Sequence, residues 1–344
     1  MKQKYVIGID VSKSKLDCAV MDFEYNILYE MIIPNTEKKI FSFLKDIMEL
    51  LKITKEELMI CCENTGIYNR PLELFCTQSD YLLWVEHPVK IKKASSDLRG
   101  KDDRKDARRI AEYAVRYHDK KLPYKESCQV VKQMNVLSKS RDSLLVQKTA
   151  LENQLREAKS HDPFEFKILS QSFSKTLKTF VSEIKKIEKQ LSTLIESKGE
   201  IKRNKDLLVS IPGIGMQTAI NFIIITDNFK NFENAKHLAC YAGVVPFKNQ
   251  SGTIVKKERI SKMANQKLKK LLHLSAMATI RADKELKAYF VRKVEQGKNK
   301  MSVLNAIRNK LVHRIMAVIK RQQPYLSQKE FLSTKNSNFP CLLT

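Results

Sequence analysis

The chain has 344 residues, 43% of them hydrophobic, which suffices for more than one packed core and excludes a disordered chain. Its 63 Lys and Arg against 38 Asp and Glu leave a formal net charge of +25. The excess is concentrated in residues 201–344, where 27 basic residues meet 8 acidic ones. A field of that sign calls for a polyanion, and nucleic acid is expected before an anionic membrane, because no long basic amphipathic helix or lipidation signal occurs. Seven scattered cysteines show no CxxC pair or zinc spacing, so reduced thiols are expected. No targeting segment is expected either: Met1-Lys-Gln-Lys runs straight into a strand, and Phe222-Ile-Ile-Ile is too short to span a bilayer.

Tyr5-Val-Ile-Gly-Ile-Asp10 is a short apolar run typical of a buried strand. Leu16–Met21 and Asn26–Ile33 follow, with Asp22 and Asn26 in connections short enough for hairpins. Thr36 heads a helix to about Leu51, with Ile40, Phe43, Leu44, Ile47 and Leu51 on one face. Leu58–Cys62 reads as a fourth strand, 67–78 as a helix, Tyr81–Val85 as a fifth strand, and a helix rich in Arg and Ala begins near Lys101. Three antiparallel strands followed by helix, strand, helix, strand and helix is the element order of an RNase H-like (RuvC-like) α/β fold.

From 127 to 200 the pattern changes. Phe173, Leu177, Phe180, Ile184, Ile187, Leu191 and Leu194 alternate spacings of four and three, which is a coiled-coil seam. Met134, Leu137, Leu144, Leu151, Leu155 and Ala158 fit the same frame, interrupted by Arg141 and Lys148. His161-Asp-Pro163 separates the two, so a long helical hairpin is expected, with a possible second role in dimerisation. Residues 201–325 read as an all-α basic domain with loops around Pro212–Gly215 and Gly243–Val255. The tail from 326 has no period and is expected to be flexible.

Asp10 ends the first strand and Glu63 directly follows the fourth; Asp102, Asp103 and Asp106 open the later helix. Asp103 and Asp106 are three apart and share a helix face. In an RNase H-like fold the ends of strands one and four are neighbours and this helix packs beside them, so four carboxylates converge. Converging carboxylates raise one another's pKa unless a cation neutralises them. Mg²⁺ suits such oxygen donors, and two ions about 4 Å apart would clamp the attacking and leaving oxygens of a phosphodiester. Spacing alone leaves Asp102 and Asp103 interchangeable. Asp17 is expected to face solvent or to balance Lys13 and Lys15.

In the basic domain, Leu207-Leu-Val-Ser-Ile-Pro-Gly213-Ile-Gly215-Met reads as a helix-hairpin-helix-like element whose turn lets backbone N–H groups approach phosphate. Ser251 lies in a polar loop before Gly252. Lys256, Lys257, Arg259 and Lys262 follow, then Lys267, Lys269 and Lys270, and further on Arg281, Lys284, Arg292 and Lys293, all of a kind that contacts phosphates rather than reading bases. A serine hydroxyl becomes a nucleophile only with a base to take its proton and cations at the attacked phosphate.

Taken in order, Gly8-Ile-Asp10-Val-Ser-Lys, Glu63-Asn-Thr-Gly66, Lys101-x-Asp103-x-x-Asp106-Ala, Ile211-Pro-Gly-Ile-Gly215, Tyr241-Ala-Gly-Val-Val-Pro246, Gln250-Ser-Gly252 and Ile260-Ser-Lys-Met-Ala-Asn265 resemble the DEDD-type insertion-sequence transposases, the bridge-RNA-guided serine recombinases. The resemblance spans nearly the whole chain. It implies metal ligands at Asp10, Glu63, Asp103 and Asp106, favouring Asp103 over Asp102. It also implies a nucleophile at Ser251 that forms a covalent phosphoserine link with DNA. Further implications are Mg²⁺ as cofactor, a structured noncoding RNA that selects DNA by base pairing, and a dimer or tetramer whose active site combines two subunits. A bacterial cytoplasmic protein, nucleoid-associated when bound to DNA, would follow. The family often has Gly where this chain has Thr253 and Ala264.

Two other classes fit parts of the pattern. One is a Mg²⁺-dependent, junction-resolvase-like nuclease in which activated water attacks. The other is an actin-like or sugar-kinase-like ATPase suggested by Gly8-Ile-Asp-Val-Ser, but that reading needs further glycine-rich nucleotide loops, which the nine glycines do not form.

Overall fold

The structure, a computed structural model, describes residues 3–94, 103–251, 254–260 and 264–326, and for 103, 104, 247–251 and 254–260 the backbone only. Lys101, Asp102, Gly252, Thr253, Lys262 and the 327–344 tail lie outside the described residues. The chain divides into two compact units, 1–126 and 127–344.

The first unit runs β1 (Tyr5–Val11), β2 (Lys15–Asp22), β3 (Ile27–Pro34), α1 (Glu37–Leu51), β4 (Leu58–Glu63), α2 (Arg70–Gln78), β5 (Leu83–Glu86), α3 (Pro88–Ala94) and α4 (Asp103–Arg116). Its sheet has the order β3-β2-β1-β4-β5. β1, β2 and β3 pair antiparallel, whereas β4 and β5 run parallel to β1. This is the RNase H-like arrangement that the element order led one to expect. Asp22 closes the β2–β3 hairpin as anticipated, its Oδ1 accepting from the backbone N–H of Glu24 and Asn26, both at 2.9 Å.

Because β1 and β4 are central and covered on both faces, they read as unbroken apolar runs. Alternate residues serve different layers. Ile7, Ile9, Ile60 and Cys62 pack with Phe43 and Leu44 of α1 and Leu72 of α2. Val6, Met59, Cys61 and Trp84 pack on the opposite face with Ile110, Ala111 and Ala114 of α4. Thr36 stands at the α1 N-cap position, but its side chain makes no capping bond there. The four cysteines of this unit, Cys18, Cys61, Cys62 and Cys76, are buried free thiols.

In the second unit two long helices, α5 (Gln129–His161) and α6 (Pro163–Glu196), pack along each other. Asp162 separates them and caps α6 by accepting from the N–H of Phe164 and Glu165. The seam residues are buried near one end, at Met134, Ile184, Ile187 and Leu191, and half-buried farther out, at Phe173, Leu177 and Phe180. Arg141 and Lys148, which interrupt the seam, reach Glu188 and Glu152, each at 2.7 Å.

The chain continues through α7 (Gly199–Val209), α8 (Met216–Thr226), α9 (Ala235–Tyr241), β6 (Pro246–Ser251), β7 (Ile254–Ile260), α10 (Gln266–Ala282), α11 (Lys284–Glu295) and α12 (Lys300–Arg321). α12 runs through the middle of the core, with Ile307, Leu311, Val312 and Ile315 fully enclosed. Val131, Met134, Ile187 and Leu191 join that same core from α5 and α6. One expectation is corrected here: the 243–255 stretch is not a loop in an all-helical region, because β6 and β7 form an antiparallel hairpin. Among the described residues no helix is long and apolar enough to cross a membrane.

Candidate active site

Strand parity fixes the first part of the site. Val6 and Gly8 point toward the α4 layer, so Asp10 does too; Cys61 does, so Glu63 does as well. The parallel register sets Ile9 beside Cys62 and therefore brings Asp10 next to Glu63 at the strand ends. α4 supplies Asp106 by lying directly on β1. A Cβ at Gly8 would stand 2.8 Å from the Ala111 Cβ and nearer still to Ala107 O and Ala111 N, so only glycine permits this approach. Asp106 immediately precedes Ala107.

The electrostatics agree with this convergence. The Glu63 carboxyl is pushed above its ordinary range by burial first, then by the charges of Asp10 and Asp106. Asp106 is also held by Arg109, whose Nη1 lies 2.8 Å from its Oδ1. Asp103 is the first residue of α4, and its side chain lies outside the described residues. Among the described residues, no three acidic, His or Cys side chains stand together as a finished ligand set for one ion.

Two further acids lie on this face: Asp17, expected to face solvent or to balance Lys13 and Lys15, and Glu86, which the sequence reading did not single out. Asp17 pairs in register with Asp10 and is only 2% exposed. It is therefore not a solvent-facing residue; Lys15 Nζ lies 3.1 Å from its Oδ2. Glu86, paired in register with Glu63, is buried and takes hydrogen bonds from His87 N–H, Lys90 Nζ and Tyr113 Oη. Glu86 is thus satisfied within its own surroundings. Parity was the available signal for Asp17, since Leu16 and Cys18 both face the α1–α2 layer.

In the second unit Ser251 is the last residue of β6 and pairs with Ile254, so it ends a strand beside a two-residue connection rather than lying in an open loop. Lys256, Lys257 and Arg259 belong to β7. Lys269 and Lys270 lie on α10, half-buried and exposed respectively. Gly213, at φ +89°, forms the α7–α8 turn against α10: a Cβ there would meet Thr279 N at 2.7 Å and Ser275 O at 2.8 Å. Thr279 Oγ1 donates to Pro212 O at 2.9 Å. Gly215 caps α8, is exposed and faces open space.

Two family descriptions cover most of the chain. A DEDD-type transposase description of the IS110 kind matches residues 7–158, and "Transposase IS116/IS110/IS902 family" matches 205–291. The chain belongs to the DEDD-type insertion-sequence transposases. This transposase is 26% identical over 330 residues to the pilin gene-inverting protein of Moraxella lacunata, covering 94% of this chain and 98% of that one. It is 29% identical over 257 residues to the transposase for insertion sequence element IS1111A of Coxiella burnetii, covering 65% and 68%. A solved T. thermophilus RuvC in complex with a Holliday junction substrate matches 36% of the transposase and all of its own chain, at 11% identity and a TM-score of 0.27. The fold stands on the strand order itself, not on that match. The enzyme is a DNA transposase/recombinase.

Proposed function

We propose that this transposase cuts and exchanges DNA strands at the ends of its own insertion element through a serine nucleophile supported by a carboxylate-bound metal. The convergence of Asp10, Glu63 and Asp106 beneath α4 carries the reading. Three acids on one face, with Glu63 pushed toward its neutral form by burial and then by the charges of Asp10 and Asp106, are donors that a divalent cation would take. All are hard oxygen donors, so Mg²⁺ fits, with Asp103 as fourth ligand one turn before Asp106. Such an ion, when bound, stabilises charge on a phosphodiester oxygen.

The protein groups would then act as follows. Ser251 Oγ loses its proton and attacks phosphorus. An Oγ–P bond forms as the bond from phosphorus to a deoxyribose oxygen breaks, and that oxygen leaves as a hydroxyl after taking a proton. Attack by the hydroxyl of a second strand reverses the step on a new partner, so phosphodiester bond energy is conserved and no nucleotide cofactor is consumed. Lys256, Lys257, Arg259, Lys262, Lys269 and Lys270, with the α8 N-terminus at Gly213–Gly215, hold nucleic acid backbone. The carboxylate and serine units act together in an assembly of two or four copies, guided by a structured noncoding RNA.

The test is an SDS-resistant protein–DNA adduct assay with Mg²⁺, RNA from the flanks of the gene and DNA carrying joined element ends. An adduct lost in Ser251→Ala and in Asp10→Asn is expected. Nicked DNA without an adduct, equal in wild type and Ser251→Ala, would overturn the serine step and leave a nuclease that uses water.

A further inference from the structure

α12 carries an arginine that the account so far does not use. Arg308 is 7% exposed, and its Nη2 donates to His273 Nδ1 at 2.5 Å. Arginine has no acceptor, so Nδ1 takes the bond, and His273 is the neutral tautomer with its proton on Nε2. Burial and the Arg308 charge both hold the His273 pKa below its ordinary value, in agreement. Among the described residues, that histidine is the only polar partner of Arg308, and no carboxylate pairs with it. Its Nε is buried with no hydrogen-bond partner at all.

The surroundings repeat the pattern. Asn305 lies one helical turn before Arg308 and before Asn309, the next residue, and each asparagine has a buried, unpartnered side-chain oxygen. Asn305 Nδ2 donates to Val244 O at 2.8 Å, which fixes that amide and ties α12 to the backbone two residues before β6. At the other base of the hairpin, Asn265 N–H donates to Tyr241 O at 2.9 Å, and α10 leads from there to His273. The cluster is therefore anchored to the elements that hold both ends of the β6–β7 hairpin.

An arginine enclosed without a counter-charge is costly, since desolvation is not repaid by an ion pair. A structural guanidinium is normally paired with a carboxylate, as Arg314 is with Asp283 at 2.5 Å in the same unit. We infer that Arg308, held by His273, is the centre of an anion site at the base of the Ser251 hairpin that takes a phosphate group. Arg308 Nε–H is the donor, and the Asn309 amide joins it by rotating to present Nδ2. Asn305, held by Val244, leaves its oxygen to water. In the working enzyme the phosphate is one of the nucleic acid backbone, an assignment that rests on the transposase reading; inorganic phosphate provides a probe that does not.

The experiment compares full-length wild type with Arg308→Met and Arg308→Lys. Melting temperature is followed as sodium phosphate replaces sodium chloride at constant ionic strength, and affinity for a duplex oligonucleotide is measured beside it. The wild type is expected to gain roughly 2–4 °C, saturably. Arg308→Met is expected to melt at or above wild type without phosphate, because an unpaired buried charge has gone, to show no phosphate response and to bind DNA about tenfold more weakly. Arg308→Lys is expected to retain part of both responses. If Arg308→Met melts well below wild type or fails to fold, Arg308 is a paired structural cation and the inference falls. It also falls if phosphate stabilises wild type no more than chloride does, or stabilises Arg308→Met equally. A phosphate response confined to Arg308, in a protein that neither binds nor cuts DNA, would uphold the anion site and overturn the transposition chemistry proposed for it.

Discussion

Gly8→Ala is the smallest change that separates the two halves of the carboxylate set. The added Cβ would stand 2.8 Å from the Ala111 Cβ, with Ala107 O and Ala111 N closer. Carbon atoms pack at about 3.5–4.0 Å, so α4 must retreat from β1 by roughly 1 Å. Its inner face, Ile110, Ala111 and Ala114, is at most 1% exposed, which leaves no slack. Overpacking of this kind costs about 1–3 kcal/mol, or roughly 3–6 °C in melting temperature for each kcal/mol in a unit of this size. The effect on chemistry is expected to exceed the effect on folding. Metal ligands tolerate about 0.2 Å, and a displacement of about 1 Å at a catalytic group costs on the order of 100-fold. The assay is strand cleavage at saturating Mg²⁺, at a temperature where circular dichroism shows the variant folded. Ala111→Gly is expected not to rescue it, because two of the three atoms met are backbone. Wild-type melting together with wild-type cleavage in Gly8→Ala would refute the reasoning.

Glu63→Gln is expected to raise the melting temperature of the metal-free protein while abolishing cleavage. The folded-state pKa of Glu63 is raised, so its ionised form opposes folding; stability is expected to fall as pH rises through that pKa, and Mg²⁺ to restore most at the alkaline end. Thermal melts with and without Mg²⁺ at several pH values check this. Gly213→Ala is expected to destabilise by at least about 1–3 kcal/mol, from the φ +89° strain and the clash with Thr279, whereas Gly215→Ala is expected to leave folding nearly unchanged. Urea titration distinguishes the two. In the long hairpin, Leu191→Ala is expected to cost about 2–5 kcal/mol and Phe173→Ala less, since Leu191 is enclosed and Phe173 half-exposed in the monomer. A Phe173→Ala cost that grows with protein concentration would mark the outer seam as a subunit contact.

Much of the first unit was legible because its determinants are local. The apolar runs of β1 and β4, the amphipathic α1 and the acids at strand ends all follow from periodicity and position. Asp17 and Glu86 were harder, since a carboxylate on a strand reads as solvated until the layer above it is known. The β6–β7 hairpin was hidden by composition. Lys248, Asn249, Gln250, Lys256, Lys257 and Glu258 mask the alternation, and Gly252-Thr253 is not one of the strong turn pairs. Arg308 was not singled out in the sequence. Its neighbours at helical spacing, Leu304, Leu311 and Val312, were the overlooked sign that it sits on the buried side of α12. The placing of Asp10 and Glu63 at neighbouring strand ends was therefore readable from sequence, whereas the surroundings of Ser251 depended on which faces pack.

The central claim is that Ser251 becomes covalently joined to DNA. The most direct measurement is mass spectrometry of the nucleotide-linked peptide after nuclease and protease digestion of the SDS-resistant adduct. The account predicts a phosphodeoxynucleotide on Ser251, absent when Mg²⁺ is chelated or when Asp106→Asn replaces the wild type. Linkage at a different residue, or DNA exchange with no linked peptide, would contradict it.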